Sequence, residues 1–271
     1  FESSNGVALG SSLYEAKLFA LFELVERDAF LNFWYMKARL YRIDINSVDK
    51  KIQKKIAKFE TEDKKVYIFD MTFDISIPSI LCLVVDFKGK VATYISTASH
   101  INYNVAINAA VNECLVGHRI YETNPRIGKK KYTSDYDVVE MFDHVDYASR
   151  HEYIKNYEFL FDNEIKTVEE LYGSEAYKVS SSLDNAKDYI CNTKLNNHGK
   201  IYFADLSTKI SYNYGFFIAK IIVSRMLPMT FGYLNQRINK ERIVNAIQNS
   251  KYSDRCLCNG DEIDVRAHPF P

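Results

Sequence analysis

Neither sign of charge is in excess: 35 Lys and Arg are set against 35 Asp and Glu, and the formal net charge is zero. This removes bulk electrostatics as an argument for a nucleic acid or an anionic membrane as partner. The sequence has no apolar run of about 18 residues and no secretory signal pattern, so neither a membrane span nor export is expected. Cysteine is scarce, odd in number at five, and scattered. That usage fits a reducing compartment, the cytoplasm, better than a disulfide framework. Cys256 and Cys258 stand too close together for an ordinary zinc pair and have no second pair, so both read as plain thiols. No Met precedes Phe1, and a motif follows it at once; the expectation is that an N-terminal part is missing from this chain.

What is present is a globular composition. Of 271 residues, 47% are hydrophobic, enough to bury a substantial core as one large domain or two small ones. The expected fold is mixed α/β over residues 1–271, with a division into 1–140 and 141–271. Val48–Phe59 reads as a short amphipathic helix with Lys on its outer face. Val66–Asp70 and Ile75–Phe87 read as strands, the second with Pro78 at an edge or bulge near its start. A Lys88-Gly89-Lys90 turn leads to a third strand, Val91–Ile95. A helix follows over about Val105–Tyr121, then a loop over Asn124–Tyr136. Val168–Tyr172 and Asp184–Leu195 read as helices, Ile201–Asp205 as a strand and Lys240–Gln248 as a last helix. Phe216–Met229 reads as a central strand leading into a functional loop.

The stretch Glu2–Tyr35 organises the chain. A polar, glycine-punctuated turn (Ser3, Ser4, Asn5, Gly6) leads into a long helical pattern. Ser12 and Glu15 fit a capping box that starts the helix. Glu23 and Glu26 share one face of it, with Phe19, Phe30 and Phe33 at helical spacing. Two carboxylates among aromatics are costly without a compensating cation, and Arg27 lies one turn from Glu23. Either this is a salt-bridged surface helix or the pair holds a divalent metal; hard oxygen ligands three residues apart suit Mg2+ with substrate phosphates.

Three further residues invite two readings each. Glu113 is placed on a small apolar face with Ala106, Ala109, Ala110, Val116, Gly117 and Ile120, where it is either paired to a base or bound to metal. Lys220 interrupts an apolar run and needs an anion, a phosphate or a core Glu. The Lys129-Lys130-Lys131 run is either solvated or an aid to binding peptide or phosphate. His144 and His151 have no ligand-like companions and read as structural. The final Ala-His-Pro-Phe-Pro favours an extended, polyproline-like tail, against the default of a frayed end.

These residues resemble a known family. SSNGVALG, then YEA, then LFELVERDAF closely resembles the opening motif of the YcaO-domain superfamily. A second helix of the type Ala-x-x-x-Ala-x-x-Glu is matched by Ala106, Ala110 and Glu113. His144, Tyr147-Ala148 and Phe159-Leu160 resemble a further pattern, read as a spacer between the halves. Two positions depart from the family: Val116 stands where a Gln is frequent, with Asn112 expected to supply the amide, and Ser224-Arg225 replace a Pro-Gly turn. The resemblance implies an ATP- and Mg2+-dependent enzyme acting on backbone amides of ribosomal peptides. It implies that Ser4, Asn5, Glu23, Glu26, Arg27, Asn112 and Glu113 bind the nucleotide, and that Glu23, Glu26 and Glu113 hold Mg2+. Lys220 would offset phosphate charge, and the Pro271 carboxylate would act as a base or orient the peptide.

The proline-rich tail resembles that of the azoline-forming members. In that reaction a Cys, Ser or Thr side chain attacks the preceding backbone carbonyl, the oxyanion takes a phosphoryl group from ATP, and loss of phosphate leaves a thiazoline or oxazoline. The resemblance also implies partners in a hetero-oligomer: a precursor peptide, an E1-like leader-binding protein and an FMN-dependent azoline dehydrogenase, in toxin or bacteriocin synthesis. Two other readings stand beside it, a thioamide- or amidine-forming relative and a non-catalytic scaffold.

Overall fold

The computed structural model describes residues 4–173, 199–258 and 262–271. Helix α1, Leu13–Met36, begins as its cap predicts: Ser12 Oγ accepts the Glu15 N–H at 3.1 Å. The reciprocal bond differs, since the Glu15 carboxylate takes the Ser11 N–H. The helix changes character along its length. From Asp28 to Met36 every residue is buried, so this half is buried on all sides and is no longer amphipathic. Phe30 and Phe33, at helical spacing from the two glutamates, therefore belong to the core.

Before α1, the Ser4–Val7 turn is closed by Val7 N–H on Ser4 O (3.0 Å) and feeds strand β1, Val7–Gly10. Gly6 has φ of +72°, and a Cβ there would lie 2.4 Å from the Ile221 carbonyl oxygen. Only glycine meets both requirements.

A five-stranded mixed sheet runs in the order β5-β4-β3-β2-β6. Its strands are β2 Arg42–Ile43, β3 Lys64–Asp70, β4 Ser79–Asp86, β5 Thr93–Ser99 and β6 Ile165–Lys166. Strand β4 is buried on both faces, with Leu81, Leu83 and Val85 toward α1 and Ile80, Cys82 and Val84 toward the opposite side. That second face is covered by helix α2, Lys50–Phe59, and helix α3, Tyr103–Thr123. The expected strand from Ile75 starts only at Ser79; Ile75–Ile77 folds back on itself, with Ile77 N–H on Ile75 O.

A second, three-stranded sheet has the order β1-β8-β7, with β7 Ile201–Asp205 and β8 Phe217–Val223. The central position expected for the Phe216 run is observed. Ala219, Ile221 and Val223 are buried, and Ile221 and Val223 pack on the first half of α1.

Residues 143–162 are not a spacer. Helix α4, Met141–Ala148, and the segment after it bury Val145, Ala148, Tyr153, Tyr157 and Leu160. Nor do 1–140 and 141–271 pack as separate units: β1 pairs with β8, and β2 with β6. The helix expected over 184–195 lies outside the described residues.

Candidate active site

Strand β5 is an edge of the five-stranded sheet, with α1 and α3 on its opposite faces. Past that edge the two helices approach over a cleft of about 250 Å3, lined by Glu23, Glu26, Thr97, His100, Ala109 and Glu113 among others. Glutamates from both helices are thus brought to one place.

Each carboxyl is held where its charge is disfavoured. Glu26 is pushed up to about 7, chiefly by desolvation and further by the charges of Glu113 and Glu23, against Arg27 and the Thr97 hydroxyl. Thr97 Oγ1 donates to Glu26 Oε1 at 2.7 Å. Glu23 is also raised, first by desolvation, although Arg27, the Gly6 and Val7 amides and Lys220 oppose it. Gly6 N–H donates to Glu23 Oε2 (3.2 Å), and Arg27 Nη2 lies 3.7 Å from Glu23 Oε1. Glu113, at the accessible side of the cleft, is raised mainly by desolvation.

Arg27 closes one end. Its guanidinium lies 4.1 Å above the Phe270 ring, and its Nε is buried without a hydrogen-bond partner among the described residues. Phe270 is 4% exposed and packs edge-on against Phe30. The tail is fastened further back. The His268 ring stacks on His144 at 4.1 Å, His268 O bonds to His144 Nδ1 (2.6 Å), and Tyr153 Oη donates to Ala267 O (2.9 Å). The tail is therefore docked, and Pro271 follows directly on the residue beneath Arg27.

Lys220 lies on β8 opposite Val7, with Nζ 3.5 Å from Asn5 O and its charge acting on Glu23. A glutamate, one of its two expected anions, is within reach of that charge. Ser4 and Asn5 form the turn under Glu23. The Asn5 amide donates to Met229 O at 2.6 Å, so it anchors the loop after β8. His144 is structural, as expected, accepting the Gly232 N–H.

Two expectations at α3 fail. Asn112 does not face the cleft: its side-chain oxygen accepts from Lys55 Nζ of α2 at 2.7 Å. One residue from Glu113 is about 100° around a helix, which carries it to the α2 side. Val116 and Ile120 are not packed either, being 57% and 58% exposed. The buried stripe of α3 contains Ala106, Ala110, Cys114, Gly117 and His118 instead. In the basic loop, Lys130 is paired with Asp143 at 2.7 Å.

Thr97 and His100 were not identified from sequence. The available signal was the run of hydroxyl residues Thr93, Ser96, Thr97 and Ser99 in β5, which has meaning only once β5 is known to be an edge. Among the described residues no group of three His, Cys, Asp or Glu side chains is close enough to form a metal cage. A cation here would take one or two carboxylates and complete its shell from a ligand, the usual habit of Mg2+. Crowded, desolvated carboxyls with an all-oxygen donor set fit that ion.

The YcaO cyclodehydratase family, described as ATP- and Mg2+-binding, matches over residues 1–227, and the chain belongs to this family. Solved structures share its fold. A heterocyclase in complex with substrate and cofactor is 20% identical with a TM-score of 0.74, covering 99% of this chain and 33% of its own. The YcaO protein from Methanopyrus kandleri bound with AMPPCP and Mg2+ is 15% identical with a TM-score of 0.61, covering 84% of this chain and 59% of its own. The E. coli microcin synthetase McbBCD complex with pro-MccB17 bound is 15% identical with a TM-score of 0.61, covering 100% of this chain and 64% of its own. This chain thus spans a third to two thirds of the length of these proteins. No helix among the described residues is long and apolar enough to cross a membrane.

Proposed function

We propose that this chain is the ATP-dependent catalytic unit of a peptide cyclodehydratase that forms thiazolines or oxazolines from Cys, Ser or Thr of a ribosomal precursor peptide. The observation that carries this is the convergence of Glu23, Glu26 and Glu113 on one cleft, all with raised pKa. Bound Mg2+-ATP would supply the phosphoryl group that makes the amide oxygen a leaving group. Glu23, Glu26 and Glu113 would supply between them the one or two carboxylates that hold the ion, and a carboxyl that does so returns to its charged form. Arg27 and Lys220 would offset phosphate charge, with Ser4 and Asn5 fixing the turn that carries a backbone donor to Glu23. As in other phosphoryl transfers, the protein has little covalent work to do beyond positioning and charge neutralisation.

The docked tail supports azoline formation over thioamide or amidine formation, since it holds Phe270 beneath Arg27 with Pro271 next in the chain. Pro271 is proposed to orient the peptide or to act on its protons. The unit would work in the cytoplasm in a hetero-oligomer, with an E1-like protein to capture the precursor's leader and an FMN-dependent dehydrogenase to oxidise the rings. The free thiols of Cys82, Cys114, Cys256 and Cys258 suit a reducing compartment.

The test combines chain, leader-binding protein and a Cys/Ser-rich precursor with ATP and Mg2+. Loss of one water per ring with matching ATP consumption is expected. A sulfur-for-oxygen exchange would move the chain to the thioamide class. If Glu23→Gln leaves turnover intact, the metal assignment is wrong. Truncation of Phe270-Pro271 should abolish ring formation while leaving nucleotide binding in place.

A further inference from the structure

His100 follows β5 and stands at the entrance to α3. Its Nδ1 accepts the backbone N–H of Asn102 at 2.9 Å. A backbone amide can donate only to an unprotonated ring nitrogen, so the neutral ring carries its hydrogen on Nε2. Packing holds that orientation: the ring rests on Phe22 at 5.1 Å, and burial keeps it neutral by lowering its pKa. His100 lines the cleft with Glu23, Glu26 and Glu113. Nε2, on the side of the ring opposite Asn102, has no hydrogen-bond partner among the described residues. A fixed, uncharged donor is therefore presented among carboxylates that cannot all be served by Arg27. Val105 and Ala106, in the first turns of the 21-residue α3, line the same cleft, and a helix N-terminus favours an anion.

We propose that His100 donates its Nε2–H to a phosphate oxygen of the nucleotide bound in this cleft. This rests on the ATP and Mg2+ reading above and adds to it a residue that recognises phosphate without carrying charge. Neutrality matters here. A cationic ring would pair with Glu23 or Glu26 and compete with the metal, whereas a neutral donor serves the phosphate alone. His100 is thus a binding residue whose second nitrogen fixes the tautomer.

Two variants separate the ligand role from the structural one. The Asn amide oxygen overlays Nδ1, so His100→Asn keeps the bond to Asn102 and loses the donor. The Gln amide nitrogen overlays Nε2, so His100→Gln keeps a donor and loses the bond to Asn102. Binding of a non-hydrolysable ATP analogue with Mg2+, followed by calorimetry, should weaken roughly tenfold or more in His100→Asn, the loss expected for a hydrogen bond to a charged group. It should be largely retained in His100→Gln, while thermal stability follows the opposite order. Imidazole nitrogen shifts in the free protein should report the Nε2–H tautomer. Equal affinity in His100→Asn and wild type overturns the proposal, as does an Nδ1–H tautomer or a defect seen only in peptide KM. Glu23→Gln, measured alongside, keeps the two readings apart. If wild type fails to bind the analogue, the nucleotide site itself is refuted; if Glu23→Gln loses binding while His100→Asn keeps it, only the role of His100 falls.

Discussion

Glu26 sits where its charge is least welcome in the free protein. Its carboxyl is raised from an ordinary 4.5 to about 7. Between those values the folded chain keeps a proton that the unfolded chain has lost, so this group's contribution to stability is greatest below the lower value. It falls as pH rises through the upper one. At about 1.4 kcal/mol per unit, the shift corresponds to up to about 3 kcal/mol. Glu26→Gln should therefore be more stable than wild type at about pH 8 by up to that amount, with the gap closing toward about pH 5. His100, His118, His144 and His268 all have lowered pKa values and slope the other way below the normal His range. They are common to both proteins and cancel in the difference. Urea melts across the range test this, and a gap independent of pH would sink it. At this scale the sequence was informative about residue type and poor about direction. The Glu23, Glu26 pair was legible because helical spacing puts both on one face. Thr97 was not, since its hydroxyl gains a meaning only from a strand register and a partner 71 positions away. Asn112 was misplaced because being next to Glu113 in sequence put it on a different side of the helix.

Helix α1 works as an element because its two halves do different things. The first half carries the carboxylates between the cleft and the three-stranded sheet, and the second is buried and fixes the first. Asp28 marks the change. Its carboxylate accepts Leu227 N–H at 2.8 Å and Arg242 Nε at 3.1 Å, and Arg242 Nη1 reaches Asp74 at 2.6 Å. Arg242 lies on the last helix, Lys240–Gln248, so one buried guanidinium ties the ends of the chain and the loop before β4 together. Removing it strands two buried carboxylates, and Arg242→Met should cost about 3–5 kcal/mol. Replacing Arg242, Asp28 and Asp74 together by apolar residues of similar volume should recover most of the loss, because the desolvation penalty goes with the charges. Equilibrium unfolding checks both; equal destabilisation by the single and triple changes would show that packing, not charge, is at stake. The last helix and β7 were placed correctly by periodicity, since each is a local pattern. The role of Arg242 was illegible, because it depends on an aspartate 214 positions away. The spacer reading of 143–162 failed for a related reason. It rested on the pattern of His144, Tyr147-Ala148 and Phe159-Leu160, which carries no signal that Asp143 and Asp146 hold the Gly128–Tyr132 loop, with Tyr132 Oη bonding both.

For the whole molecule, the cleft is where α1, α3 and the two sheets meet. The carboxylates of α1 and α3 are presented past an edge of the five-stranded sheet, while Gly6 and Lys220 arrive from the three-stranded one. Interleaving of β1 with β8 and of β2 with β6 means that none of these parts can be released alone. The chain should unfold in one transition, and a ligand bound at the cleft should stabilise all of it. A ligand that binds only the folded form adds about 2.7 kcal/mol at a hundredfold excess over Kd. Mg2+ with a non-hydrolysable ATP analogue should therefore raise Tm by several degrees, with Mg2+ alone giving much less because the carboxylates supply only part of its shell. Glu23→Gln should remove the increment. The pH dependence is set by the same carboxyls. Below the raised value of Glu26, about 7, the proton and the ion compete for the same oxygens, so the increment should shrink as pH falls from about 8 toward 6. An increment that is constant over this range would place the ion on groups other than Glu26.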